Sequence, residues 1–269
     1  MPIGTPTLIG LPYDASSSFL RGPAAAPPQI RAALASPAGN DWSEAGIEIR
    51  AGRVYVDAGD VDLSDEATAR ASIERAIADI VDRGDRPISL GGDHSVTYPI
   101  LRAVARVTPQ LTLVHVDAHP DLYDEFEGDR FSHACPFARI LEENPGIRLV
   151  QIGLRTMTGH QREQAKRFGV DVIDMRSWSQ GRRPALRGPI YASIDVDGLD
   201  PAFAPGVSHR EPGGLSVRDV LGIVQTLPGP IVGADVVEVN PSEDPTGVTS
   251  IVAAKLVREL ISRMVETSD

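Results

Sequence analysis

Short apolar runs rich in valine, isoleucine and leucine alternate with longer segments in which apolar residues recur every three or four positions. Several of the short runs, such as Ile231–Val237, are apolar on both faces, which is typical of a parallel sheet covered by helices. The predicted strands are Thr7–Leu11, Val54–Val56, Pro87–Leu90, Leu111–Val116, Arg148–Ile152, Asp171–Ile173, Tyr191–Ile194 and Ile231–Val237.

The longer segments predict amphipathic helices that lie between the strands. Ala67–Arg83 carries three isoleucines on one stripe, with Ser64 and Asp65 as candidate caps before it. The other predicted helices are Val96–Val107, Thr158–Phe168, Ser216–Gln225 and Ser250–Val265. This alternation predicts an α/β fold, and the lack of repeats or linkers in the sequence predicts a single domain over residues 1–269.

Composition restricts the classes of partner and compartment. The net charge of −11 argues against a nucleic-acid partner, because nucleic-acid-binding proteins usually present a basic face. A single cysteine, Cys135, forms no internal disulfide and no cysteine-based zinc site, so we expect a cytoplasmic protein. The N-terminus lacks a signal-peptide pattern and no apolar stretch reaches about 18 residues, so we expect no membrane partner.

Three segments rich in histidine and aspartate follow predicted strands, where open α/β sheets place their ligands. They are Gly91–Ser95 (GGDHS), Asp117–Asp121 (DAHPD) and Ser193–Pro201 (SIDVDGLDP). In the second segment two aspartates and a histidine occupy alternate positions, and in the third segment two aspartates do. Alternate side chains of an extended chain share a face. Taken singly, the segments also fit a strand-to-helix turn, an acidic turn and an aspartate-rich loop.

Taken together, the segments predict a centre that binds two metal ions. Four carboxylates balance the charge of two divalent cations, and hard oxygen ligands with imidazoles favour Mn²⁺ over a structural zinc. Ions held by shared carboxylates lie about 3.5–4 Å apart and activate water jointly. The candidate ligands are His94, Asp117, His119, Asp121, Asp195 and Asp197.

The three segments resemble the signatures GGDHS, DAHxD and SxDxDxxDP of the arginase–agmatinase (ureohydrolase) family, in order and at fitting intervals. Ile9–Asp14 resembles the N-terminal region of that family, and Asp235–Pro241 resembles its DVVEVNP strand. Ser132–Phe137 is similar to the SHGTxF segment of agmatinases, so the motifs as a whole look most like those of an agmatinase.

This resemblance implies a three-layer αβα fold with a central, mostly parallel sheet of about eight strands, and a homotrimer or homohexamer. It implies two Mn²⁺ per subunit, with Ni²⁺ or Fe²⁺ as alternatives. One ion would be bound by His94, Asp117, Asp121 and Asp195, and the other by Asp117, His119, Asp195 and Asp197, so that Asp117 and Asp195 bridge.

The resemblance also implies the reaction. A hydroxide that bridges the ions attacks the guanidinium carbon of a small, agmatine-like guanidino substrate, giving urea and an amine. Asp121 helps to move the hydroxide proton, Glu238 pairs with the guanidinium, and His133 shuttles a proton or contacts the substrate.

The segment Val207–Glu211 departs from the agmatinase pattern and leaves the substrate open. His209 and Arg210 would suit a carboxylate, as in a guanidino acid or formiminoglutamate, whereas the acids of Leu122–Arg130 would suit a cationic tail. A catalytically silent family subunit is the non-enzymatic alternative, and it predicts lost ligands, although all six candidates are present. His115, inside a strand, is expected to be a core histidine.

Overall fold

The computed structural model describes residues 4–267, in which eight strands form one sheet. They are β1 (Pro6–Gly10), β2 (Val56–Asp60), β3 (Arg86–Leu90), β4 (Thr112–Val116), β5 (Arg148–Ile152), β6 (Asp171–Ile173), β7 (Ile190–Asp195) and β8 (Ile231–Val237). Their order across the sheet is β2-β1-β3-β8-β7-β4-β5-β6, and each neighbouring pair is parallel. The predicted α/β class and strand number are therefore confirmed.

Helices connect the strands and cover the sheet. They are α1 (Ala26–Leu34), α2 (Ala69–Asp82), α3 (Thr97–Val107), α4 (Pro136–Glu143), α5 (Gly159–Phe168), α6 (Met175–Ser179), α7 (Val217–Gln225) and α8 (Val248–Glu266). The five predicted helices match within a few residues. The sequence pattern missed α1, α4 and α6, because a proline pair opens α1 and the other two span too few turns to show a period.

Two local predictions were wrong. The strand predicted at Val54–Val56 begins where that run ends, as β2, an edge strand of largely exposed residues with no apolar alternation to reveal it. The helix predicted at Ala67–Arg83 is not capped by Ser64 or Asp65. Thr68 precedes its first turn without a side-chain cap, and Asp65 instead accepts a hydrogen bond from the Thr68 hydroxyl (2.9 Å).

Apolar side chains fill both faces of the sheet and form two clusters. Along β4, Val114 and Val116 join the cluster beneath α1, α7 and α8, whereas Leu113 joins the cluster beneath α2, α3 and α4. Each fully buried leucine or isoleucine contributes about 1.5–3 kcal/mol to folding. These clusters produce the three-layer αβα arrangement, with the sheet as a rigid platform between two helical layers. Within residues 4–267, no helix is both long and apolar enough to cross a membrane.

Candidate metal centre and active site

The candidate site lies at the carboxyl edge of the four central strands, which are neighbours in the order β3-β8-β7-β4. Because parallel strands end at the same edge of a sheet, residues from four separated segments meet there. Each strand contributes at or just after its last residue: His94 follows β3, Asp117, His119 and Asp121 follow β4, Asp195 and Asp197 come from the end of β7, and Glu238 follows β8.

Glycines allow these segments to approach one another closely. A Cβ atom on Gly92 would lie 1.7 Å from the carbonyl oxygen of Tyr13, and one on Gly198 would lie 2.9 Å from the backbone of Asp117. Any side chain at either position would push the strand ends apart. The glycines of the first and third sequence segments therefore have a steric role in assembling the site.

Two acidic residues of the site adopt the left-handed backbone conformation that non-glycine residues rarely enter. Asp121 has φ 47° and Glu238 has φ 64°. Such conformations cost about 1 kcal/mol or more each and persist where the surrounding structure imposes them. Both turns direct a carboxylate into the cleft at the sheet edge. The strained backbone conformations therefore serve to orient functional groups.

The first candidate metal group surrounds the imidazole of His94, which is fully buried. Its Nδ1 lies 3.3 Å from Asp117 Oδ2, 3.0 Å from Asp121 Oδ2 and 3.1 Å from Asp195 Oδ2. The same Nδ1 is a buried atom that makes no hydrogen bond of acceptable geometry. A buried lone pair that faces three carboxylate oxygens without a hydrogen bond fits a site for a divalent cation.

The second group surrounds His119 and shares Asp117 with the first. His119 Nδ1 lies 3.4 Å from Asp117 Oδ1 and 3.1 Å from Asp197 Oδ2. The six predicted ligands are thus brought together as two groups, each with ligand atoms within 4.8 Å of one another, joined by Asp117. Asp195 belongs only to the first group, so its bridging role stays a prediction.

The electrostatics of this cluster also call for added positive charge. Burial opposes a charge on His119, but Asp197 and Asp117 outweigh burial and raise its pKa to about 12. Burial raises the pKa of Asp197 to about 6, despite the opposing effect of His119. His119 and Asp197 thus both hold a proton abnormally tightly, as expected of a site suited to divalent cations.

Buried hydrogen bonds orient the candidate ligands from behind. Ser193 Oγ lies 3.0 Å from His94 Nε2 and donates to Asp235 Oδ1 (2.7 Å), which makes a relay that fixes the ring with Nδ1 toward the acids. His115 Nε2 lies 2.7 Å from Asp117 Oδ2, and Gln151 contacts His115 Nδ1 at 3.0 Å. His115 is therefore buried and bonded as expected, but its partner is a candidate ligand.

The sequence singled out the segments that Ser193 and Asp235 open, without assigning a role to either residue, and it did not point to Gln151. The available signal was a polar residue at an otherwise apolar position of a doubly buried strand, since a polar side chain buried there requires a partner. Residues that orient metal ligands through hydrogen bonds usually have a strong effect on metal affinity.

Glu238 and His133 meet beside the metal groups. Glu238 Oε1 accepts from the backbone amide of His94 (2.9 Å) and lies 2.8 Å from His133 Nδ1. Burial favours the neutral acid, but His133 and the His94 amide outweigh burial and hold the pKa of Glu238 below its ordinary value. Within the described residues nothing donates to Glu238 Oε2, so an ionised carboxylate oxygen is left for a cationic ligand.

A cavity of about 190 Å³ opens over these groups. His209 lines it, and its ring lies 5.3 Å from the ring of His133 and 5.8 Å from that of His119, centroid to centroid. Arg210 is outside the lining, because its guanidinium donates to Glu243 (2.6 Å) and to the carbonyl of Pro205 (2.7 Å).

The remaining cavity lining is mostly neutral. It includes no lysine or arginine within the described residues, and the polar members beyond the acids and histidines are Ser18, Tyr123, Thr156, Thr158 and Gln161. The acids of Leu122–Arg130 do not reach the cavity. Asp124 pairs with Arg130 (2.9 Å) and Arg139 (2.7 Å), and that segment contributes Tyr123 and Phe126 instead.

Cys135 is buried near the site but has the properties of a packing residue. Burial raises the pKa of its thiol to about 12, with Asp121 adding to the effect. The thiolate is the reactive form of cysteine, so this side chain is not poised as a nucleophile.

Comparisons with known proteins agree with this architecture. The model of the arginase family matches residues 5–262. "Arginase 1, mitochondrial" of Arabidopsis thaliana is 47% identical over 276 residues, which cover 96% of this chain and 80% of that protein. The agmatinase of Bacillus anthracis is 35% identical over 215 residues, covering 77% of this chain and 74% of that protein.

A solved structure supports the same assignment. The arginase from Medicago truncatula has a TM-score of 0.91 and 45% sequence identity to this chain, covering 97% of this chain and 88% of that one. Sequence and fold thus agree over nearly the whole length. The chain belongs to the arginase family.

Proposed function

We propose that the protein hydrolyses the guanidinium group of a small molecule to urea and an amine, with L-arginine as the first candidate substrate. The observation that carries this proposal is Glu238, which keeps a carboxylate oxygen free of hydrogen bonds within the described residues and lines the same cavity as Asp121 and His119. A carboxylate pairs with a planar guanidinium through charge-assisted hydrogen bonds, which would hold the reacting carbon beside the candidate ligands.

We propose two Mn²⁺ as the metals, held by the six ligands, with Ni²⁺ or Fe²⁺ as alternatives. The donor set supports this choice because it combines carboxylates with imidazoles and lacks a thiolate in either group. When bound, the two ions would supply an activated water as nucleophile at neutral pH.

We assign roles to three side chains. Glu238 binds and orients the guanidinium, and Asp121 helps to move the proton that the nucleophile loses. His133, bonded to Glu238 at 2.8 Å and lining the cavity, carries a proton to the leaving nitrogen. An amine is a poor leaving group unless its nitrogen is protonated, so this proton transfer is required as the C–N bond breaks.

The preference for L-arginine is supported by the neutral polar side chains of the cavity lining. An α-amino acid tail carries one positive and one negative charge, which hydroxyl and amide groups can solvate together. Thr158 is also the N-cap of helix α5, and the N-terminus of a helix favours a carboxylate. The relatives with higher identity among those compared are named arginases, in line with this choice.

Agmatine, the expectation from the sequence motifs, remains the second candidate substrate. The rings of Tyr123 and Phe126 line the cavity, and aromatic faces attract an ammonium group by about 0.5–2 kcal/mol. The acids of Leu122–Arg130, on which the sequence argument rested, do not line the cavity and do not support it.

Guanidino acids and formiminoglutamate have weaker support. Both require a cationic group in the protein to bind the carboxylate of the substrate tail. Of the two residues predicted for that role, Arg210 pairs with Glu243 outside the cavity, and His209 lines the cavity. A catalytically silent subunit would have no need for six ligands, an oriented Glu238 and a cavity above them.

The test is urea release by the Mn²⁺-loaded protein from L-arginine, agmatine, guanidinobutanoate and guanidinopropanoate, with formamide release from formiminoglutamate measured in parallel. We expect urea from L-arginine at the highest kcat/KM. A preference for agmatine would indicate that Tyr123 and Phe126 bind the tail of the substrate through its ammonium group. Silence across the panel with both Mn²⁺ and Ni²⁺ would overturn the proposed function.

We also propose a cytoplasmic homo-oligomer, a trimer or hexamer, without a nucleic-acid partner. The single cysteine and the acidic net charge support the compartment and the lack of nucleic-acid binding. Light scattering coupled to size-exclusion chromatography tests the oligomer, and a monomeric mass would contradict it.

A further inference from the structure

We propose that Ser18 is a positioning residue that keeps the proton of His133 on Nδ1 and leaves Nε2 as a proton acceptor at the cavity. This inference deepens the proposed function and rests on it, because it concerns the group that handles the leaving-group proton. Ser18 belongs to no sequence segment that pointed to the site. It lines the cavity, and the two groups with which it contacts His133 are its backbone amide and its hydroxyl.

The backbone amide determines which nitrogen of His133 carries the proton. The N–H of Ser18 donates to His133 Nε2 over 3.2 Å, and an amide N–H cannot accept. A ring nitrogen has a single in-plane position, which holds either a lone pair or a proton, so Nε2 presents its lone pair to Ser18. The proton of the neutral ring therefore lies on Nδ1, where it donates to Glu238 Oε1 over 2.8 Å. In this series of hydrogen bonds, from Ser18 through His133 to Glu238, every donor meets an acceptor.

The loop that carries Ser18 is held in place by contacts on several sides. The amide of Ser16 donates to Asp93 Oδ2 (3.0 Å), and the carbonyl of Ser16 accepts from the amide of His133 (3.1 Å). The carbonyl of Leu20 accepts from Ser208 Oγ (2.8 Å) and from Asn240 Nδ2 (3.1 Å). The position of Ser18 against His133 is thus imposed by the fold.

The hydroxyl of Ser18 serves both protonation states of His133, which the amide cannot do. Ser18 Oγ lies 2.8 Å from Nε2 and can rotate from donating to accepting. Glu238 favours a positive charge on the ring, whereas the Ser18 amide opposes a proton on Nε2. His133 therefore takes up at Nε2 the proton released by the nucleophilic water, and returns it to the leaving nitrogen as the C–N bond breaks. The proton count of the protein is unchanged over one turnover.

Ser18 is exposed, so substitution there tests the contact without disturbing the core. We expect Ser18→Ala to lower kcat by about fivefold to tenfold, the value of one lost hydrogen bond, with KM within about twofold of wild type. Ser18→Thr keeps a hydroxyl and should recover most of kcat. Ser17→Ala is the matched control, because Ser17 Oγ contacts Asp93 rather than His133 and its removal should leave both constants nearly unchanged.

Two kinetic outcomes would overturn the assignment. A raised KM with unchanged kcat in Ser18→Ala would make Ser18 a substrate contact. Equal losses in Ser18→Ala and Ser18→Thr would mean that the hydroxyl is irrelevant.

A second measurement does not depend on turnover. Neutron diffraction from deuterium-exchanged crystals of the metal-loaded protein should reveal a deuteron on His133 Nδ1 and none on Nε2. A deuteron on Nε2 in the resting protein would refute the positioning role whatever the urea panel gives. A deuteron on Nδ1 alone, together with a silent panel, would support the positioning of His133 and refute the proposed function.

Discussion

Asp117 is the residue on which the two metal groups converge, and each of its oxygens has separate partners. Oδ2 lies 3.3 Å from His94 Nδ1 and 2.7 Å from His115 Nε2, whereas Oδ1 lies 3.4 Å from His119 Nδ1 and accepts from the His119 amide (2.6 Å). A fully buried carboxylate with this many polar neighbours is held rigidly. The two halves of the metal centre are therefore coupled through one side chain.

At the same scale, Asp195→Ala should abolish both metal retention and activity. Asp195 Oδ2 lies 3.1 Å from His94 Nδ1, and removing this acid would delete a candidate ligand from a buried cluster. Bound metal is measured by atomic emission after dialysis, and activity by urea release. Asp82→Ala, at an exposed ion pair on α2, is the control and should retain both. Full turnover by Asp195→Ala would remove its role as a ligand.

Glu238→Gln should separate metal binding from substrate capture. The amide oxygen of glutamine can still accept from the His94 amide, so metal content should hold, but the charge that pairs with a guanidinium is lost. Loss of a hydrogen bond to a charged group costs about 1.5–3 kcal/mol, so kcat/KM should fall by roughly tenfold to a hundredfold. Unchanged steady-state kinetics for this variant would end the proposed role of Glu238.

The residues that could be predicted from the sequence are those that carry metal chemistry at regular spacing after strands. His94, Asp117, His119, Asp121, Asp195 and Asp197 are of this kind, and the structure brings them together. Ser18 is ordinary in its local context, and it matters because distant segments fold against it. Arg210 follows the cavity-lining His209 directly in the sequence, yet its side chain turns toward Glu243. The residue type alone does not determine that orientation.

Among the strands and helices, those with a long or continuous apolar pattern could be predicted from the sequence, and short elements without such a pattern could not. The doubly apolar runs Leu111–Val116 and Ile231–Val237 correspond to central strands β4 and β8, because burial on both faces leaves a continuous apolar signal. The edge strand β2 carries the sequence VDAGD and pairs through its backbone with β1, so its position depends on a neighbour that the pattern does not reveal.

Helix α7 allows an element-scale prediction of stability. Ser216 caps it with a capping box, accepting from the Asp219 amide (3.1 Å) while Asp219 Oδ2 accepts from the Ser216 amide (2.9 Å). Ser216→Ala should lower the free energy of unfolding by about 1 kcal/mol, measured by urea denaturation, without changing kcat/KM. Ser179→Ala, at an exposed serine that ends α6, is the control and should shift stability by less than about 0.5 kcal/mol. Equal stability of Ser216→Ala and wild type would show that the cap is dispensable.

At the scale of the whole molecule, the sheet gathers like charges at one edge, and bound cations should stabilise the fold. A ligand that binds the native state at about a hundred times its Kd adds about 2.7 kcal/mol, so exhaustive chelation should lower Tm by several degrees. Restoring Mn²⁺ should reverse this shift. A Tm that is indifferent to chelator, in protein shown to have contained metal, would contradict a buried centre between the strand ends.

The number of metal ions that each chain retains shows whether the sheet edge holds a paired metal centre. Protein freed of metal, titrated with Mn²⁺ and then dialysed, is analysed for metal per chain. We predict two ions per chain, because two groups of ligands joined by Asp117 lie at the sheet edge. One ion or none per chain, from protein that remains folded by circular dichroism, would contradict a paired metal centre.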